Sequence, residues 1–226
     1  MYKRQNNLSF VGLDPYGRPV AGATDSIRVV TTGTILRLQD FVVLNEIHYD
    51  PVQPGAGFIE LFNQSTTTPF DLSGLRIDGV GYTFPDGSVI APGAYLVLAA
   101  DTAVFADTYG TTIPVFGEFP GALNNDGERI SLVRPDPASG NAETILGTVR
   151  YSDRLPWPTN AAGFGPSLQL VDPRRSVHRL ANWAATATND VNRVTPGRAN
   201  SVRRDLAEIP ELWLNEVLPN SLAGPL

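Results

Sequence analysis

Cysteine is absent from these 226 residues, methionine occurs once and histidine twice. The missing thiols exclude disulfides, cysteine-ligated zinc and thiol catalysis together. They leave the compartment open, because bacterial exported proteins often carry few cysteines or none. Positive charge is scarce too: 17 Lys and Arg stand against 23 Asp and Glu, a net charge of −6. Nucleic-acid affinity rests on Lys and Arg neutralising phosphates, so an acidic chain makes DNA or RNA a poor first partner. No apolar run approaches the roughly 18 residues that span a bilayer. The best, Ala94–Ala100, has the length of a strand. No secretory signal is visible, since no apolar stretch follows the basic Lys3 and Arg4.

What is present is turn chemistry. The 21 glycines and 19 prolines are scattered between apolar runs, which favours many short strands over long helices. Leu8–Val11 and Ser26–Val30 alternate or run apolar, and Asp14-Pro15-Tyr16-Gly17 between them has the type I turn preference. Further strands are expected at Phe41–Tyr49, Phe58–Asn63, Leu75–Ile77, Tyr82–Phe84, Tyr95–Ala99, Arg129–Val133, Ile145–Tyr151 and Leu168–Val171. In Phe58–Asn63 the alternation puts Phe58, Glu60 and Phe62 on one face and Ile59, Leu61 and Asn63 on the other. Pro85-Asp86-Gly87 and Asn125-Asp126-Gly127 read as hairpin turns. One helix fits: Asp101 or Thr102 caps it, Val104, Phe105 and Tyr109 form its face, and Gly110 stops it. The regular spacing of strands and turns implies an all-β antiparallel sandwich or barrel.

Leu44-Asn45-Glu46 sits in an apolar run, and Leu214-Asn215-Glu216 repeats it in another. The simplest organisation is a main module over 40–200, a linker at 201–210 and the first strand of a second module at 211–226. Residues 6–34 are expected to be the C-terminal hairpin of a preceding β-domain. Residues 1–5, Met-Tyr-Lys-Arg-Gln, match the translation of a common sequencing-library transposon end and are expected to be adapter-derived.

Eight segments then occur in one order: LNEIHYDP (44–51), FIELFN (58–63), DLSGLRID (71–78), FPDGSVIAPGAYLVLA (84–99), FGEFPGALNNDGERISLV (116–133), PWPTNAAGFGPSLQLVDP (156–173), NWAA (182–185) and TPGRAN (195–200). Together they resemble the lamin-tail domain, in its bacterial exported or surface form. The chain departs from the pattern at Leu75, often Trp in the family, and at Ala162, commonly Asp. The resemblance implies an immunoglobulin-like antiparallel β-sandwich with one short helix, extracellular or on a bacterial cell surface. It implies a non-catalytic spacer, attachment or binding module of a large multidomain protein. The expected partners are neighbouring domains of the same chain, with a surface protein or polysaccharide beyond them. Two alternatives stay open: an accessory to an exported nuclease, phosphatase or spore-coat-type kinase, and a nucleic-acid-binding module.

Catalytic signatures are missing. Gly79-Val80-Gly81 lacks a third glycine, and Gly163-Phe164-Gly165-Pro166-Ser167 lacks the glycine two positions past its serine. Glu46, His48 and Asp50 share a strand parity but lack further zinc ligands, so they read as a solvated or edge-strand face rather than a metal site. Asn45 is expected to bond backbone at a strand edge. Calcium is the one cofactor the composition leaves open, and Asn124–Glu128 is the candidate turn. Binding residues, if present, belong on end loops. The candidates are Trp157, Phe164, the 50–57 loop and the basic pair Arg174 and Arg175, which Asp172 could neutralise. Trp157 also reads as a plug sealing one end of the sandwich.

Overall fold

The computed structural model describes residues 4–31, 36–136 and 143–208. The first of these segments is a single antiparallel hairpin, β1 (Arg4–Leu13) and β2 (Pro19–Thr31). Its turn closes as the residue types require. The Gly17 N–H donates to Asp14 O at 2.9 Å, with Gly17 at φ 78°, and the Asp14 carboxylate accepts from the Tyr16 and Arg18 N–H groups. Among the described residues β1 and β2 pair only with each other. Leu8 and Ile27 are neighbours on one face and stay about half exposed.

The remaining elements are β3 (Val42–His48), β4 (Phe58–Asn63), β5 (Phe70–Asp71), β6 (Arg76–Asp78), β7 (Tyr82–Thr83), β8 (Val89–Ile90), β9 (Tyr95–Ala99), α1 (Thr102–Tyr109), β10 (Val115–Glu118), β11 (Arg129–Pro135), β12 (Glu143–Arg150), β13 (Leu168–Leu170) and β14 (Trp183–Ala184). They form a six-stranded sheet ordered β10-β9-β4-β3-β13-β14 and a four-stranded sheet ordered β12-β11-β6-β7. A two-stranded ribbon, β5-β8, accompanies them. Between the two larger sheets Leu44, Ile47, Ile59, Leu61, Leu98 and Leu168 meet Ile77, Ile130, Leu132 and Val149, all buried. This is the immunoglobulin-like sandwich.

All six residues of β4 are buried, so both faces of that strand are covered. Ile59 and Leu61 face the sandwich core, while Phe58 packs with Val97, Ala99 and Phe105 in a second cluster outside it. Helix α1 lies over that outer face. Asp101 is its N-cap, accepting from the Ala103 and Val104 N–H groups at 2.9 and 3.0 Å, and Gly110 ends it at φ 102°. The crossover through α1 returns the chain in the same direction, so β10 joins β9 in parallel while the other pairings are antiparallel.

Two turn assignments need correction. Pro85-Asp86-Gly87 does not close a hairpin: it links β7, which pairs with β6, to β8, which pairs with β5. Asn125-Asp126-Gly127 likewise carries the chain from β10 in one sheet to β11 in the other. Gly87 and Gly127 do take positive φ, at 83° and 115°. A sheet-to-sheet corner and a hairpin ask the same backbone freedom of glycine, so the residue type does not tell them apart. The strands β5, β8, β10 and β14 were not anticipated either; at two to four residues they are too short to show a period.

Phe105 has no exposed surface and stacks edge-on against Phe58 at 5.7 Å. Phe105→Ala is expected to cost about 3–4 kcal/mol through burial and cavity terms. Asp101→Ala, which removes only the cap, should cost about 1 kcal/mol. Urea denaturation of both variants checks the size and the order of the two effects.

Candidate functional site

The outer face of the six-stranded sheet is where the chemistry concentrates. Glu46 on β3 lies directly opposite Glu60 on β4, and Gln169 on β13 lies opposite Glu46. All three are fully buried, and the neighbouring His48 is 2% exposed. This corrects the expectation that Glu46 and His48 share a solvated face. The face is polar, but α1 and the segment 193–200 cover it. Asn45 is corrected as well: it sits at a bulge of the central strand β3, not at a sheet edge, and donates through Nδ2 to Glu60 at 2.7 Å and Asn200 at 2.9 Å.

The covering segment, together with Ser167 and Asn45, supplies the donors that two buried carboxylates need. Glu46 Oε1 accepts from the Ser167 hydroxyl at 2.5 Å and the Thr195 N–H at 2.8 Å, and Oε2 accepts from the Thr195 hydroxyl at 2.6 Å. Glu60 Oε2 accepts from the Gly197 N–H at 2.5 Å. Asn200 Nδ2 donates to the carbonyls of Asn45 and Leu170 at 2.9 and 2.8 Å. Burial pushes both carboxyls up. The rise is larger for Glu60, where repulsion from Glu46 adds to desolvation and fewer donors oppose it. At Glu46, three donors and the charge of Arg198 oppose the desolvation.

His48 fills the same layer. The Tyr109 hydroxyl donates to Ala56 O at 3.1 Å, so His48 Nδ1 carries the proton shared with the Tyr109 oxygen at 2.8 Å. Its Nε2 has no partner among the described residues, and burial holds its pKa down to about 3. Among the described residues no three His, Asp or Glu side chains converge as metal ligands.

The candidates chosen from sequence lie elsewhere. Trp157 packs partly buried against the core, its ring 6.5 Å from that of Trp183. Phe164 is 63% exposed. The adjoining Ala162 bridges to Asp50, which brings that loop beside the 50–57 loop. There a cleft of about 310 Å³ opens between Asp50, Pro54, Gly55, Leu123 and Asn125. In the candidate calcium turn two side-chain oxygens accept from within the chain. Glu128 Oε1 accepts from the Asn124 N–H at 2.7 Å and the Tyr151 hydroxyl at 3.0 Å, and Asn124 Oδ1 accepts from the Asp126 N–H at 2.9 Å. Arg174 and Arg175 lie near the first residues of β3, beside a cleft of about 270 Å³. Arg174 Nε donates to Asp172 at 3.2 Å and its Nη2 pairs with Asp205, while Arg175 Nη1 reaches Glu208 at 3.3 Å.

The sequence model of one family, the lamin tail domain, matches residues 39–152. The chain belongs to the lamin tail domain family. That family is non-enzymatic and immunoglobulin-like, and its fold agrees with the sandwich. No curated protein and no solved structure matches the chain. The lamin-tail match runs from the turn before β3 through β12. Ser167, Thr195, Gly197 and Asn200, which satisfy the two buried acids, lie beyond it. The acids were visible in the sequence, and their partners were flagged only as parts of two landmark segments.

Asn200→Ala strands two buried carbonyls and the Asn45 amide. It is expected to lower stability by about 3 kcal/mol, given 1–3 kcal/mol for each unsatisfied group. The Glu60 carboxyl has a higher pKa folded than unfolded, so the folded form binds more protons between the ordinary carboxylate range and that raised value. Stability should therefore fall as pH rises through this window. Glu60→Gln, whose single amide oxygen cannot accept from both Asn45 and Gly197, should fall below the parent at acid pH and gain on it as pH rises. Denaturation curves taken from pH 4 to 9 test this; a constant difference between the two proteins would sink it.

Proposed function

We propose that this lamin tail domain is a non-catalytic spacer and interaction module of a large bacterial exported or surface protein. The observation that carries the reading is the use made of its chemically capable side chains. The buried acids Glu46 and Glu60 are spent fastening 193–200 onto the sheet, and His48 is held neutral beneath α1. A stable sandwich with clefts at loop ends suits positioning and attachment. The two-stranded β1-β2 sheet supports a multi-module context, because a lone hairpin has too little apolar burial to stand alone. The partners proposed are neighbouring domains, with a surface protein or polysaccharide at the 50–57 and Phe164 loops.

Nucleic acid is disfavoured by a specific observation. The basic pair is already neutralised by Asp172, Asp205 and Glu208 on an acidic chain. No shift of labelled single- or double-stranded DNA is expected at near-physiological salt. Salt-sensitive binding that Arg174→Ala and Arg175→Ala abolish would favour the nucleic-acid reading instead.

The deciding experiment is recovery of the longer reading frame around this chain. Repeated β-modules with an export signal and an anchor are expected. A neighbouring hydrolase or kinase domain would make this module an accessory to that chemistry. Residues 211–226, proposed as the first strand of a second module, lie outside the described residues, and the same reading frame tests them.

A further inference from the structure

Four consecutive residues, Asp205 to Glu208, are each held by one loop, residues 172–179. The Asp205 carboxylate pairs with Arg174. The Leu206 N–H donates to Asp172 Oδ2 at 3.0 Å, and Leu206 O accepts from Arg175 Nε at 3.2 Å. Ala207 O accepts from Arg179 at 3.0 Å, and Glu208 accepts from Arg175 at 3.3 Å. The approach to this seat is fastened as well. Ser201 donates to Gln169 at 3.0 Å, the Arg203 guanidinium lies 5.3 Å over the Phe62 ring, and the Arg204 N–H donates to Val171 O at 3.0 Å.

The seat is built rigidly. Asp172 is 1% exposed, and its backbone N–H donates to Asn182 Oδ1 at 2.8 Å. The fully buried Asn182 donates through Nδ2 to the carbonyls of Asp172, Arg175 and Ser176. Desolvation raises the Asp172 carboxyl, but the Leu206 and Arg174 donors outweigh it and hold it below the ordinary range. The seat thus offers one buried acceptor for a backbone N–H and guanidinium donors for two carbonyls and two carboxylates. That is the complement of a short, extended, acidic peptide.

We propose that loop 172–179 is a docking seat for an acidic extended segment, and that its occupant is this chain's own 205–208. The part of the 201–210 linker that holds these residues is then a clamped strap that fixes the direction in which the polypeptide leaves the sandwich. This deepens the spacer reading and takes its purpose from it. The contacts themselves belong to this chain alone. Asp205 and Glu208 have side chains 89% and 84% exposed, so their ion pairs are open to screening by salt. The Leu206 bond to buried Asp172 is the shielded part.

Hydrogen exchange on the whole chain tests the clamp. At low salt the Leu206 amide should exchange at least tenfold more slowly than an unstructured amide. Arg174→Ala with Arg175→Ala should remove that protection while β3 and β4 keep theirs. Exchanging the charges, Arg174→Glu with Asp205→Arg, should restore more protection than Arg174→Glu alone. An unprotected Leu206 in the parent, or protection indifferent to these changes, would overturn the clamp. A protected strap in a reading frame that proves to belong to an enzyme would keep the clamp and discard the spacer.

Discussion

Two carboxylates facing each other inside a sheet set the terms for the rest of this structure. Glu46 and Glu60 are cross-strand neighbours with no access to water, and like charges in that position repel. Their burial is offset by donors, one from Asn45 on β3 itself and the others from Ser167, Thr195 and Gly197. The sandwich is therefore closed by residues far along the chain from the strands they serve. This also accounts for the reach of the fold beyond the residues that the family match covers. The segment 193–200 is a working part of the sheet's outer layer.

That outer layer has two halves. Under α1 it is apolar, with Phe58, Val97, Ala99 and Phe105 in contact. Under 193–200 it is polar, with Asn45, Glu46, Glu60, Gln169 and Asn200 buried together. A polar half satisfied on all sides gives register and direction to the segment that covers it, which apolar contact alone does not. Asn200 illustrates this: its amide meets one carbonyl on β3 and another on β13, so it fits at one position only.

Much of the fold was legible because it is local. Asp101 before an apolar helical face, Gly110 after it, and the alternation of Phe58–Asn63 each carry their own reason. The turn at Asp71, within the landmark 71–78, rests on equally local chemistry: its carboxylate accepts from the Ser73 N–H and hydroxyl. The hidden features depend on distant segments. A strand face bearing Glu46 and His48 looks identical whether water or a later loop covers it. One sign was available: β4 carries large apolar residues on both faces, which a half-exposed strand has no reason to do. The two sheet-to-sheet corners were hidden for the same reason, since glycine reports a backbone angle and not the sheet its neighbours join. The pairing of Arg174 and Arg175 with Asp172 was foreseeable from proximity in sequence, but that with Asp205 and Glu208 was not.

The stapling of 195–200 against β3 has a mechanical consequence. The first long strand, β3, and the segment that leads to the exit are joined directly by Asn45–Asn200 and Glu46–Thr195. Tension applied along the polypeptide, once it has peeled 205–208 from its seat, meets this short cross-link, and the strands between are shunted out of the load path. The domain would behave as a stiff bead of fixed length until that staple shears, and only then would the intervening residues pay out.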